Sequence, residues 1–420
     1  MGASDYIARH VDLALDALFG ELPAIMLTGP RGSGKTTTAR RRAASDIDLG
    51  VPDLARAFEA APDAVLGAQT LPVLIDEWQR VPSALAAVKR AVDAHVGPGR
   101  YLITGSVRSR LSGAGWPATG RISPVAMYGL TEAELVGAAE FDAVRALIGP
   151  ADPEPSALAN APDLGEYAER IVRGGFPAGV SLSDRARGAW YEGYVESLIR
   201  NDAAELAEVR QPAALAALLA ALALNTAGSP TLETLTLAAG ADQRTVKAYL
   251  GLLEDLRIVE RLPAWGVNPL NRLAKAPKYH MVDPGMAAFL AGDDRAGLLR
   301  SADRLGRLVD TFVMAQVRPL MRLAAPAVRA YHLRDRNGAH EVDLVLESAA
   351  GRIVGIEVKA TNTATTTDAR HLAWLRDQVG EMFARGIVLH TGSLAFPLAE
   401  RIWALPLAAL WSGEALPRPA

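Results

Sequence analysis

Short apolar runs alternate with helix-forming stretches over the first part of this 420-residue chain. Ala24 to Thr28, Val73 to Ile75 and Tyr101 to Thr104 read as buried strands, and their alternation with helical segments up to about residue 145 predicts a parallel α/β sheet. A Pro/Ala-rich segment, Gly149 to Pro162, reads as a linker. From Tyr167 to about Leu290 helical periodicity takes over. Within it the helical runs Leu215 to Asn225, Leu232 to Ala239 and Arg244 to Leu256 precede two short strand-like runs, Ile258 to Leu262 and Lys278 to Val282. That order suggests a winged helix. Its third helix sets Val246, Tyr249, Leu250, Leu253 and Leu256 on one stripe, with Asp242 as its N-cap. From about Gly306 helices and strands mix again. The expected units are residues 1–148, 149–210, 211–290 and 291–420.

Between the first strand and the helical run Lys35 to Ala44 lies Gly29-Pro30-Arg31-Gly32-Ser33-Gly34-Lys35-Thr36, which fits G-x-x-x-x-G-K-S/T. A strand, a glycine-rich loop and a helix N-terminus in this order form a phosphate cradle, because backbone N–H groups and the helix dipole converge on one point. Gly29, Gly32, Ser33, Gly34, Lys35, Thr36 and Thr37 are the expected nucleotide-binding residues. Lys35 would reach the β and γ phosphates, and the Thr36 hydroxyl would join the Mg2+ shell. The second strand ends in Asp76-Glu77, two acids that a core strand does not need for folding. Asp76 is expected to hold the Mg2+ and Glu77 to orient the water that attacks the γ phosphate. The third strand runs into Thr104-Gly105-Ser106, whose hydroxyls, Thr104 and Ser106, are candidate γ-phosphate sensors. Together these residues predict an ATPase with ATP and Mg2+ as cofactors.

Composition changes this picture little. Lys+Arg 44 against Asp+Glu 47 gives a net charge of -3, so any nucleic-acid surface must be local. The absence of cysteine excludes disulfides and thiolate metal sites and suits a cytoplasmic protein. The longest apolar run, Ala213 to Leu224, falls short of the ~20 residues that span a bilayer, so no membrane partner is expected.

Near the C-terminus, Glu341 to Glu347 and Arg352 to Lys359 alternate apolar and polar residues around the turn Ser348 to Gly351, hence a hairpin. With the turn centred on Ala350, Asp343 lies opposite Glu357, and Lys359 shares their face. Two facing carboxylates call for a cation between them. With a lysine two residues on, they form the PD-(D/E)xK arrangement, in which Asp343 and Glu357 would bind Mg2+ and Lys359 would activate a hydrolytic water. A solvated polar sheet face is the alternative.

LIDEWQRVPSALAAVKRAVD followed by RYLITGSVRSRL resembles the AAA-type domain of a large family of bacterial and archaeal ATP-binding proteins. The likeness continues through Gly120-Arg121, Gly174-Gly175-Phe176-Pro177, Asp283-Pro284-Gly285, EVDLVLE and GIEVKA, and so covers most of the chain. It implies an α/β protein with an N-terminal AAA-type P-loop ATPase, a central helical or winged-helix domain, and a C-terminal restriction-endonuclease-like α/β domain. It also singles out Arg121 as an arginine finger that acts across a subunit boundary in a homo-oligomer, and Asp310 as a further nuclease-like metal ligand.

Arg261, Arg272, Lys275 and Lys278 fall in a stretch without acids where a wing would lie, and Arg244 and Lys247 lie on the helix before it. Arg244, Lys247, Arg272, Lys275 and Lys278 are the DNA-binding candidates. The expected function is an oligomeric Mg2+-dependent ATPase acting on branched, forked or broken DNA. Two alternatives stay open: an ATP-dependent switch that regulates a protein partner or toxin-like system through an inactive nuclease fold, and a DNA-binding regulator with a slow ATP site.

Overall fold

The computed structural model describes residues 6–95, 97–105, 120–203, 209–266, 272, 275–323, 327–335 and 339–416. Strands β1 (Ala24–Thr28), β2 (Ser45–Asp48), β3 (Val73–Asp76), β4 (Tyr101–Gly105) and β5 (Ser123–Ala126) form a parallel sheet in the order β2-β3-β4-β1-β5. Every residue of β1, β3 and β4 is buried, as their unbroken apolar runs require of strands covered on both faces. Met26, Ile75 and Ile103 face Phe58, Trp78 and Val88, while Ile25, Leu27, Leu74 and Leu102 face Leu15 and Ala39. β2 and β5 are the edges. Each buries a single side chain, Ile47 or Val125, so neither left an apolar run in the sequence.

The second sheet has seven strands in the order β6-β13-β14-β12-β11-β10-β9. These are β6 (Ser156–Ala157), β9 (Val328–Arg334), β10 (Glu341–Ser348), β11 (Ile353–Lys359), β12 (Phe383–His390), β13 (Leu394–Ala399) and β14 (Ile402–Pro406). The long helix Ala302–Leu323 belongs to the core on one face with Leu344, Leu346, Ile356 and Leu389; helix Arg370–Val379 belongs to the other with Val342, Val345 and Val388. The 149–162 segment, expected as a linker, lies along this sheet. Ser156–Ala157 pairs with β13, and the Gly149 carbonyl accepts from Arg352 at 3.1 Å and Arg385 at 2.9 Å.

Between the sheets lie helices Pro212–Leu224, Leu232–Ala239 and Gln243–Asp255, then the antiparallel pair β7 (Val259–Leu262) and β8 (Lys278–Met281). Asp242 caps the third helix by accepting from the Arg244 and Thr245 N–H groups at 2.9 and 3.0 Å. The stripe Val246, Tyr249, Leu250, Leu253 and Leu256 is buried. One apolar cluster runs from Ala133 to Leu416 and joins this central region to the second sheet. Among the described residues no helix is long and apolar enough to cross a membrane.

Candidate functional site

The phosphate loop leaves β1 at Thr28 and enters helix Lys35–Arg40. Three glycines are required by geometry. A Cβ on Gly29 would lie 2.0 Å from the Met127 carbonyl oxygen, and Gly32 and Gly34 have φ of 76° and 96°. The Lys35 ammonium donates to the Gly29 and Pro30 carbonyls at 3.1 and 2.9 Å, folded over its own loop. Ser33 Oγ is buried without a hydrogen bond inside the loop. Thr37 faces solvent one residue beyond Thr36.

β4 stands between β1 and β3, so Thr104 falls between the loop and the acid pair. Asp76 Oδ1 accepts from Thr36 Oγ1 at 3.1 Å, from the Glu77 N–H at 3.0 Å, and from Thr104 Oγ1. A carboxylate beside a helix-start threonine hydroxyl is an oxygen donor set that suits Mg2+. Glu77 adopts φ 52°, a left-handed conformation uncommon outside glycine, and its carboxylate accepts from Gln79. Burial, then the neighbouring Asp76, raises the Glu77 carboxyl above its ordinary range. Ser106 lies outside the described residues.

Side chains distant in sequence hold this loop. Arg9 is buried; its guanidinium donates to the Ser33 carbonyl at 3.0 Å, to Tyr128 at 2.7 Å and to Gly129 at 3.1 Å, and it pairs with Glu134 at 3.1 Å. A peptide plane carries its C=O and N–H on opposite sides, so holding the Ser33 carbonyl turns the Gly34 N–H away from Arg9. Tyr194 donates to the Arg31 carbonyl at 3.0 Å, and a Cβ on Gly32 would lie 3.8 Å from Phe176. The turn that carries Phe176 is fixed from the central region. Buried Asp283 accepts from the Gly175 N–H at 2.7 Å, the Met286 N–H at 2.7 Å and the Tyr191 hydroxyl at 2.8 Å. Arg257, another left-handed residue, approaches Thr28 Oγ1 at 3.5 Å and bonds Glu260 at 3.2 Å. In the sequence, Phe176 and Asp283 stood out only through the family resemblance, and nothing marked Arg9 or Arg257.

The C-terminal hairpin has the expected register, with Leu344 opposite Ile356 and Glu347 opposite Ile353, hence a centre at residue 350. Asp310 on the long helix, Asp343, Glu357 and Lys359 meet at its open end, close enough to shift one another's ionisation. The structure corrects Lys278. Expected on a solvent-facing wing, it is 5% exposed and its ammonium sits 3.1 Å from Asp343 Oδ1 and 3.1 Å from Glu341 Oε1. Asp343 Oδ2 accepts the Val358 N–H at 3.1 Å, and Lys359 donates to Glu357 at 2.9 Å. Burial would raise the Asp343 carboxyl, but Lys278 and Lys359 hold it below the usual range. Burial, then Asp343, pushes Glu357 up to about 8 and drives Asp310 well above its ordinary value. Among the described residues no group of three or more His, Cys, Asp or Glu is arranged to hold a metal ion. The Lys278 ammonium takes Asp343 Oδ1 and the Val358 N–H takes Oδ2, so a metal ion approaching Asp343 would have to displace the ammonium; Glu357 Oε1 is buried without a hydrogen bond.

The remaining basic candidates divide. Arg244 and Lys247 face solvent on helix Gln243–Asp255. Arg272, expected to lie along phosphates, is instead packed inward: it forks onto Glu347 at 2.6 and 3.2 Å and lies over the Tyr331 ring at 4.8 Å. Lys275 donates to the Arg334 carbonyl at 3.1 Å. Arg121 pairs with Asp93 at 2.8 Å on the surface of its own domain.

Residues 21–136 match the AAA domain family, 164–296 a domain of unknown function (DUF8612), and 305–410 another (DUF4143). The N-terminal unit is therefore an AAA-type ATPase domain. The chain is 30% identical over 393 residues to uncharacterized proteins Rv2008c of Mycobacterium tuberculosis and Mb2031c of Mycobacterium bovis, covering 91% of this chain and 80% of each of those. Among solved structures, the Walker-type ATPase PABY2304 of Pyrococcus abyssi is similar, with a TM-score of 0.43 and 16% identity over 69% of this chain and 97% of that one.

Proposed function

The chain belongs to the family of these two mycobacterial proteins, and we propose that it is an ATP-driven switch. Its C-terminal unit serves as a docking and locking element rather than a nuclease. The glycine-rich loop and Lys35 bind the phosphates, Thr36 and Asp76 would hold Mg2+, Thr104 fixes Asp76, and Glu77 orients the attacking water. The observation that carries this reading is the reach of distant residues onto the loop: Tyr194 on the Arg31 carbonyl, Phe176 beside Gly32, and Arg257 at Thr28. Filling the loop with phosphate would alter contacts that these side chains share with the central region.

Glu77→Gln tests the chemistry and supplies a trapped state. It should bind ATP as the wild type does and stop turnover, while hydrogen exchange over residues 174–197 and 257–283 changes on ATP addition. Normal hydrolysis by this variant would sink the role of Glu77, and unchanged exchange would sink the switch.

A second reading, a homo-oligomeric DNA-acting ATPase with Arg121 reaching a neighbouring copy, draws on exposed Arg244 and Lys247 of a winged-helix-like region. It requires turnover strongly stimulated by forked or four-way DNA, and its nuclease form requires Mg2+- or Mn2+-dependent cutting.

A further inference from the structure

We propose that Lys278 is the resident cation of the C-terminal acid cluster: its ammonium, delivered by β8, stands against Asp343 where a divalent ion would otherwise bind. The cluster then works without metal, as a lock between the β7–β8 hairpin and the second sheet. This inference rests on reading the C-terminal unit as a locking element.

Three observations converge on it. First, the contacts are direct and enclosed. The Lys278 side chain is 7% exposed and lies 3.1 Å from both Asp343 Oδ1 and Glu341 Oε1. Second, the carboxylates already have partners. Lys278 stands against Asp343 and Glu341, and Lys359 donates to Glu357 at 2.9 Å. A divalent ion would have to displace an ammonium to reach Asp343. Third, the elements that bring Lys278 here are anchored elsewhere. Every residue of β8 is buried, and Lys278 pairs with Leu262 of β7. Glu260 on β7 pairs with Arg318 at 2.7 Å, and Arg318 belongs to the same long helix as Asp310. Glu260 also bonds Arg257, which approaches Thr28 at the root of the phosphate loop. The lysine that fills the acid cluster therefore rides on the hairpin that is tied to the nucleotide site.

The test is Mn2+ binding to the full chain without nucleotide, followed by electron paramagnetic resonance, for wild type, Asp343→Asn, Lys278→Met and the double variant. Wild type and Asp343→Asn should bind Mn2+ alike. Lys278→Met, with its helical circular dichroism and ATP binding retained, should gain one Mn2+ per chain, and the double variant should lose it again. A Mn2+ site in the wild type that disappears in Asp343→Asn would overturn the proposal, as would a folded Lys278→Met that gains none. If Lys278→Met does not fold, the comparison of wild type with Asp343→Asn still decides. Failure here leaves the Glu77→Gln turnover result untouched, so it is distinguishable from failure of the switch reading.

Discussion

Arg9→Lys isolates what the buried guanidinium contributes to the phosphate loop. Arginine spreads its donors over the Ser33, Tyr128 and Gly129 carbonyls while pairing with Glu134. Lysine keeps the charge but offers one compact ammonium, which can stay with Glu134 and reach a single carbonyl. Two charge-assisted hydrogen bonds are then lost, at about 1.5 kcal/mol each by the lower estimate, or about 3 kcal/mol together. Only the bond to Ser33 bears on the loop itself. If that bond is what fixes the Ser33–Gly34 peptide, ATP affinity should fall by about 1.5 kcal/mol, roughly tenfold, with the rest seen as lower stability in every ligand state.

Titration with a fluorescent ATP analogue gives the affinity, and thermal melts without nucleotide give the stability. Guanidinium ion added to Arg9→Ala should restore part of the lost affinity, because the cavity left at this buried site matches it. A variant with a lowered melting temperature and unchanged ATP affinity would refute the reasoning and reduce Arg9 to a packing residue for the first helix.

Two further outcomes follow from the same geometry. Gly29→Ala should abolish ATP binding while leaving the second sheet folded, checked by titration and circular dichroism, since its Cβ would overlap the Met127 carbonyl at 2.0 Å. The Glu357 carboxyl, held at about 8 against an ordinary 4.5, contributes stability that is complete below about pH 4.5 and is lost as pH rises through about 8; the melting temperature of Glu357→Gln should therefore overtake that of the wild type increasingly across this window.

The parts legible in the sequence share one property: their chemistry is attached to a local pattern. β1, β3 and β4 are buried apolar runs, so Asp76 and Thr104 could be located from strand ends and Lys35 from the glycine-rich motif that follows β1. Period-2 alternation likewise fixed which acids meet in the C-terminal hairpin, down to its centre. Edge strands β2 and β5 escaped because one buried side chain each leaves no run to read.

Lys278 escaped for a different reason. A basic residue in a stretch without acids reads as solvent-facing, and its partner Asp343 lies 65 positions away on another sheet. A hairpin reveals which carboxylates converge, but electroneutrality in a buried site demands a cation, and local sequence does not say which element supplies it. The same three acids with Mg2+ between them would be a hydrolytic centre; with an ammonium from β8 they are an ion-pair joint whose strength depends on where that hairpin stands. Because Glu260 bonds Arg257, which approaches Thr28 Oγ1 at 3.5 Å, the proposed choice of cation would also bear on whether the two ends of the chain act independently or as one device.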